Sequence, residues 1–239
     1  MYLSSTNPIL IVKLGSTYPA ISHRYGDFDN MVIKNLGDIP TIVVSPIEGE
    51  KLPEPGKFAG IVLTGSHDMV TDNKDWSKRT ETWIQSVVKS RIPLLGICYG
   101  HQLIAQAMGG VVGDNPLGRE FGTVEIELTK NLKNNILFKI LPEKFLAHVS
   151  HKQSVLKLPV KAELFASSKR EPCQAFFIAP CTWGVQFHPE FNLPVISEYI
   201  KRSAELLKSE GQNPDEILKG IKPTPESEKI LRKFSEMIN

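Results

Sequence analysis

The 239-residue sequence lacks the features that would send a chain to a membrane or to nucleic acid. It holds no apolar run approaching the about 20 residues of a bilayer span. It has little excess charge: 28 Lys and Arg stand against 26 Asp and Glu, a formal net charge of +2. A nucleic-acid partner needs a concentrated basic face. The lysines that gather towards the C-terminus alternate with glutamates, as on a solvated helix. Met1 to Leu14 shows no basic leader followed by a cleavable apolar stretch. The expectation is a cytoplasmic protein with no membrane and no nucleic-acid partner. Cysteine is scarce too, with three in all. Cys173 and Cys181 flank a hairpin turn expected at Ala179-Pro180. In that hairpin Cys173 faces a residue near Gln186, so no disulfide is expected, in keeping with a reducing compartment. No internal repeat, low-complexity tract or domain-sized linker is present.

What is present is alternation. Hydrophobic residues at 41% and charged residues at 23% are ordinary for a globular chain. Apolar runs at residues 9–13, 41–44, 60–64 and 94–97 read as strands, with helical stretches at 27–36, 75–90 and 99–108. In the second of these Trp76, Trp83, Ile84, Val87 and Val88 share roughly one face. Gly109-Gly110 stops the third. Strand–helix alternation implies a parallel sheet covered on both faces, with ligands bound beyond the carboxyl ends of its strands. From residue 123 the pattern changes. Segments 123–129, 145–149, 162–166, 174–178 and 182–187 read as short antiparallel strands packed beside the main sheet. A helix follows over 193–209. Asn213-Pro214-Asp215 and Thr224-Pro225-Glu226 each read as an N-cap with proline at the first helical position. In the last helix Ile230, Leu231, Phe234, Met237 and Ile238 form an apolar stripe. It suits packing on the body of the domain, or a partner or second copy in a homo-oligomer. The predicted fold is a three-layer α/β domain over residues 1–205, a mainly parallel sheet flanked by helices with a small antiparallel sheet. A C-terminal helical extension over 206–239 packs on it.

The most informative segment is Gly96-Ile97-Cys98-Tyr99-Gly100. A cysteine between two glycines, after an apolar strand and before a helix, is the cysteine form of a nucleophile elbow. The turn strains the central residue, and only small neighbours leave it room. The sulfur then stands over a helix N-terminus, with bare N–H groups and the positive dipole end beneath it. A lone cysteine in a Gly-rich turn is as often a buried structural residue. Here Gln186-Phe187-His188-Pro189-Glu190 supplies a base and a carboxylate two residues apart, after a strand-like run. A cysteine nucleophile needs a histidine to exchange protons, and the histidine needs an orienting acceptor. Thr64-Gly65-Ser66 falls at another strand end, so two separate motifs converge on one sheet edge.

At these residues the chain resembles the class I (triad) glutamine amidotransferases. The closest resemblance is to the amidotransferase domain of GMP synthase and its stand-alone relatives, including the γ-glutamyl peptidases. Ile61 to Ser66, Gly118-Arg119-Glu120-Phe121-Gly122 and Ser150-His151-x-x-Ser154-Val155 fit the same branch in family order. The resemblance implies hydrolysis of a glutamine side-chain amide through a glutamyl thioester, with no cofactor. Cys98, His188 and Glu190 are the implied triad, and the N–H groups of Gly65 and Tyr99 the oxyanion hole. Gln102, one turn after Cys98, contacts the bound glutamine, with Ser150, His151 and Ser154 as further substrate contacts. Ammonia would pass to a synthetase partner.

Two other functions compete. The same triad would cut a γ-glutamyl bond in a peptide, and the same fold would serve as a non-catalytic partner module, against which the complete triad counts. The chain has no S-G-G-x-D-S phosphate loop, so a GMP synthase's nucleotide-activating domain is not expected within it. Lys152-Gln153 stands where the GMP-synthase branch has Gly-Asp, and Ser66-His67-Asp68 replaces its Gly-Pro continuation. Both departures leave room for a different glutamyl substrate. His148-x-x-His151 has no further ligands at useful spacing, so no metal site is expected. His67 and His101 read as loop and helix residues, and Trp76 and Trp83 as core. Asp68 and Asp72 read by default as solvated loop carboxylates, with substrate coordination in the loop after Gly65 as the alternative. Tyr18, Tyr25 and Phe28 fall near the same sheet edge, as pocket wall or packing.

Overall fold

The computed structural model describes residues 7–129 and 135–238. The first six residues of the stretch read for a leader, and Asn239 of the C-terminal extension, lie outside the described residues. In chain order the elements are β1 (Ile9–Val12), α1 (Pro19–Tyr25), α2 (Phe28–Leu36), β2 (Thr41–Val44), β3 (Gly60–Leu63), α3 (Asp75–Lys89), β4 (Leu94–Ile97), α4 (Tyr99–Ala107), β5 (Val111–Asp114) and β6 (Glu120–Leu128). There follow β7 (Lys144–His151), β8 (Gln153–Lys157), β9 (Ala162–Ser167), β10 (Ala175–Ile178), β11 (Thr182–Val185), α5 (Leu193–Arg202), α6 (Ala204–Ser209), α7 (Pro214–Gly220) and α8 (Pro225–Ile238).

The described strands form a large sheet of order β2-β1-β3-β4-β11-β10-β9-β6-β7 and a two-stranded sheet of β5 and β8. From β2 to β11 the neighbours are parallel, and from β11 to β7 antiparallel. The α/β class with a small antiparallel sheet is as expected, but its parts are distributed differently. The strands of the second half expected to be antiparallel continue the main sheet instead of packing beside it, and the last of them, β11, pairs parallel with β4. The small sheet comes from β5 and β8, which the alternation pattern did not single out.

Alternate residues of β1 explain the layers. Ile9 and Ile11 pack with Val32 and Leu36 of α2 and Ile230, Leu231 and Phe234 of α8. Leu10 and Val12 pack with Trp76, Ile84 and Val87 of α3 and Leu103 and Ile104 of α4. A strand buried on both faces carries no polar alternation, which is why it reads as a continuous apolar run. The stripe on α8 is therefore covered by this chain's own core. A third apolar cluster, Ile21, Phe28, Met31, Phe191, Val195, Ile196, Tyr199 and others, gathers α1, α2 and α5.

The helix expected over 193–209 is two helices broken at Ser203, whose ψ of 6° leaves the helical region. Asn213 caps α7 as expected, accepting from the N–H groups of Asp215 and Glu216. The hairpin of β10 and β11 pairs Ala175 with Val185, so Cys173 falls opposite the chain near Gln186, and all three cysteines are free. No helix among the described residues is long and apolar enough to cross a membrane.

Candidate active site

The parallel strands β3, β4 and β11 end side by side, and the three candidate segments leave from those ends. Between β4 and α4, Cys98 adopts φ 50°, the left-handed region that a side chain with a Cβ enters only under constraint. The constraint is visible on both sides. The Cys98 N–H donates to the Val185 carbonyl at 2.8 Å. A Cβ on Gly96 would lie 2.5 Å from the Gly100 carbonyl oxygen, and one on Gly100 would lie 2.7 Å from that of Leu63. Only glycine fits either position. Tyr99 opens α4, so its N–H is among those the helix itself leaves without a partner.

His188 and Glu190 lie just beyond β11. The His188 N–H donates to the His148 carbonyl at 2.8 Å, tying the segment to β7. The His188 ring stacks on Phe191 at 4.1 Å between centroids, and its Nδ1 meets Glu190 Oε1 at 2.8 Å. Both side chains are buried. Burial opposes a charge on this ring. The Glu190 carboxylate and the Cys98 side chain outweigh it and raise the pKa from 6.5 to about 10. The far nitrogen, Nε2, is shielded and has no hydrogen-bond partner among the described residues.

Gly65 follows β3 and sits between these groups. A Cβ built on it would lie 3.3 Å from His188 Cε1 and 3.8 Å from Cys98 Cβ. The sulfur, the imidazole and Gly65 thus surround one small space. Next to it opens a cavity of about 170 Å³, lined by Cys98, Tyr99, Gln102, Ser150 and His151 among others.

The remaining expected contacts divide. Gln102 lines the cavity, but its amide nitrogen donates to the Gln153 carbonyl at 2.9 Å and to Gln186 Oε1 at 2.8 Å. Ser150 presents its carbonyl oxygen 4.0 Å from Cys98 Sγ. The His151 ring is clamped in the interior, with Nε2 3.1 Å from Glu120 Oε2 and Nδ1 3.0 Å from the Gln153 carbonyl. Ser154 is not among the residues that line the cavity, and its hydroxyl donates to Glu171 Oε1 at 2.6 Å. Burial pushes the Glu171 carboxyl above its ordinary range.

Several lining residues were not foreseen, among them Arg119 in this role, Tyr199 and Ser203, whereas Lys152 belongs to a segment already singled out for its departure from the GMP-synthase branch. Tyr199 falls on the apolar stripe of α5, so nothing in the pattern separates it from core. Its hydroxyl bonds Thr17 Oγ1 and stands 3.3 Å from His67 Nε2. His67, read as a loop residue, lines the cavity, as do Tyr18 and Asp68, whereas Asp72 is exposed. Phe28 packs edge-on against His67, with 5.9 Å between centroids. Trp76 is buried in the core as expected. His148 is fully buried, and burial with the nearby His188 charge lowers its pKa to about 4. Among the described residues no group of three or more His, Cys, Asp or Glu is placed to hold a metal ion.

The family model for glutamine amidotransferase class-I matches residues 25–204. The chain belongs to the class-I glutamine amidotransferase family. Within that family it is 36% identical over 185 residues to a GMP synthase (glutamine-hydrolyzing) of Aeropyrum pernix, covering 76% of this chain but only 32% of that one. It therefore spans about a third of that relative's length. Against a GMP synthase (glutamine-hydrolyzing) subunit of Methanocaldococcus jannaschii it is 33% identical over 185 residues, 76% of this chain and 87% of that one. Against gamma-glutamyl peptidase 4 of Arabidopsis thaliana it is 30% identical over 221 residues, 90% of this chain and 86% of the peptidase. The fold matches the crystal structure of a glutamine amidotransferase from Thermotoga maritima with a TM-score of 0.75 at 22% identity, covering 97% of this chain and 98% of that one.

Proposed function

We propose that this class-I amidotransferase hydrolyses a glutamyl side-chain amide through Cys98, His188 and Glu190, releasing ammonia from glutamine. The observation that carries the reading is the buried His188 ring, bonded to Glu190 at 2.8 Å and raised to about pKa 10 by that carboxylate and the Cys98 side chain. A base held between a carboxylate and a sulfur is the arrangement nucleophilic amide cleavage requires.

His188 already carries its proton, and Cys98 attacks as the thiolate paired with that imidazolium, its sulfur bonding the amide carbon. The carbonyl electrons move onto oxygen, where the N–H groups of Gly65 and Tyr99 receive them, each worth about 3–4 kcal/mol in the transition state. As the carbonyl re-forms, the C–N bond breaks and His188 gives its proton to the nitrogen, which leaves as ammonia. A glutamyl thioester remains. His188 then draws a proton from water, the water oxygen bonds the carbonyl carbon, and the C–S bond breaks to give glutamate and Cys98. Glu190 holds the imidazole tautomer and offsets its charge throughout. In this reading a synthetase partner accepts the ammonia, and the chain acts in the cytoplasm.

A second reading has its own support. The match to the Arabidopsis gamma-glutamyl peptidase runs nearly end to end on both chains. Hydrolysis of a γ-glutamyl peptide uses the same steps with an amino acid amine as leaving group. Glutamate release from L-glutamine and from γ-glutamyl dipeptides, with Cys98→Ala as control, separates the two. Peptide turnover with negligible glutaminase activity would favour the second, and turnover by Cys98→Ala would sink both.

A further inference from the structure

Among the described residues that line the Cys98 cavity, Asp68 is the one carboxylate, and Arg119 and Lys152 are the two permanent cations. Both cations already have acidic partners: Arg119 meets Glu210 at 2.9 Å and Lys152 meets Asp114 at 2.9 Å. Asp68 is only half engaged. Its Oδ1 takes Lys74 Nζ at 2.7 Å, while its Oδ2 is shielded from solvent and has no hydrogen-bond donor among the described residues. The backbone that carries it is pinned. The Asp68 N–H donates to Ser66 Oγ at 3.1 Å. Ser66 packs against Gly15 so closely that a Cβ there would lie 2.8 Å from Ser66 Cα. Asp68 thus stands three residues beyond Gly65, on a fixed loop at the same cavity as the sulfur.

A carboxylate oxygen cut off from water and given no donor is unfavourable. A ligand carrying an N⁺–H group would relieve that cost and gain a charge-assisted hydrogen bond. The glutamyl unit has such a group, its α-ammonium, at the end of the side chain opposite the amide that Cys98 attacks. We propose that Asp68 receives the α-ammonium of the glutamyl substrate and so restricts the site to glutamyl compounds whose α-amino group is free. This inference rests on the proposed function and deepens it. Glutamine and γ-glutamyl peptides both qualify. Amides of simple dicarboxylic acids, which share the scissile bond and lack the ammonium, are excluded.

The test compares L-glutamine with glutaramate, the same amide without the α-amino group, in wild-type protein, Asp68→Asn and Lys74→Met. The Lys74 variant removes the ion pair but keeps the carboxylate, so it reports any purely structural effect on the loop. Wild type is expected to prefer glutamine. Asp68→Asn should lose about 10- to 100-fold in kcat/KM for glutamine, chiefly through KM, with glutaramate turnover unchanged. Lys74→Met should keep the preference. Equal losses on both substrates, or undiminished discrimination in Asp68→Asn, would overturn the assignment. If glutamine is not turned over, a γ-glutamyl dipeptide and its glutaryl analogue replace the pair. If wild type releases nothing from any of these, the proposed function fails, and binding decides the inference separately. Calorimetry on Cys98→Ala should then show L-glutamate bound more tightly than glutarate, and Asp68→Asn should erase that difference. No binding, or no difference to erase, would overturn the inference.

Discussion

His188 Nδ1 and Glu190 Oε1 stand 2.8 Å apart with both side chains withdrawn from solvent. Only Pro189 separates them in sequence, and its fixed φ limits how the two can splay. Glu190→Gln keeps the shape and removes the charge that holds the imidazole protonated. Its kcat should fall by about 100-fold or more, with the fold intact by circular dichroism. An unchanged kcat would remove Glu190 from the mechanism.

The same pair makes stability depend on pH. The folded pKa of His188 is about 10, above its ordinary 6.5, so the folded protein binds the proton more tightly than the unfolded chain does. The stabilisation is fully present below about pH 6.5 and is lost as pH rises towards 10. Urea midpoints measured from pH 6.5 to 10 should fall more steeply for wild type than for His188→Asn. Parallel curves would contradict the assigned shift.

Acid should act through other histidines. Burial lowers His101 to about 3, and burial with the His188 charge lowers His148 to about 4. Their neutral forms contribute stability that is present above about pH 6.5 and lost as pH falls towards 4. His148→Gln should therefore lose less of its own urea midpoint between pH 7 and pH 4.5 than wild type loses of its own. An equal loss would mean that His148 does not contribute to acid sensitivity.

Two glycines should respond differently to a methyl group. In Gly96→Ala the new Cβ lies 2.5 Å from the Gly100 carbonyl oxygen, a backbone atom with nowhere to go. Stability should drop by about 1–3 kcal/mol or more. In Gly65→Ala the nearest atom is His188 Cε1 at 3.3 Å. The protein should fold, with a stability change under about 1 kcal/mol, while activity falls about tenfold or more as the ring shifts. Equal thermal losses in both variants would contradict this division.

The buried His151 ring lies 3.1 Å from Glu120 Oε2 and 3.7 Å from Glu171 Oε2. His151→Leu leaves two interior carboxylates without that partner. The loss should reach about 1–3 kcal/mol in urea titration at pH 7, the cost of a buried acceptor left without its donor. An unchanged midpoint would show that the ring's contacts to these carboxylates do not contribute to stability.

Much of the candidate site was legible as a set of motifs because its parts are local. Cys98 sits inside a five-residue turn whose glycines are each demanded by a backbone contact, and His188 and Glu190 are two residues apart. Strands β1, β3 and β4 of the parallel half were legible because strands buried on both faces read as unbroken apolar runs. What the pattern did not show depends on distant partners. Among the described residues Val111–Asp114 and Gln153–Lys157 pair only with each other, and one contains Gly113 while the other begins with two polar residues. Glu120, Glu171 and Gln174 look like surface residues by type, yet they are buried because His151, Ser154 and Ser168 supply their hydrogen bonds. Ser154 reads as a substrate contact because its segment resembles one. The resemblance carries no information about which way the hydroxyl points.

The account turns on a covalent bond between Cys98 and the glutamyl group. Protein turning over its glutamyl substrate, quenched in acid and read by intact-mass and peptide mass spectrometry, tests that directly. The predicted result is an adduct of one glutamyl unit on the peptide carrying Cys98, absent in Cys98→Ala. Sustained glutamate release from Cys98→Ala, or an adduct on another residue, would contradict it.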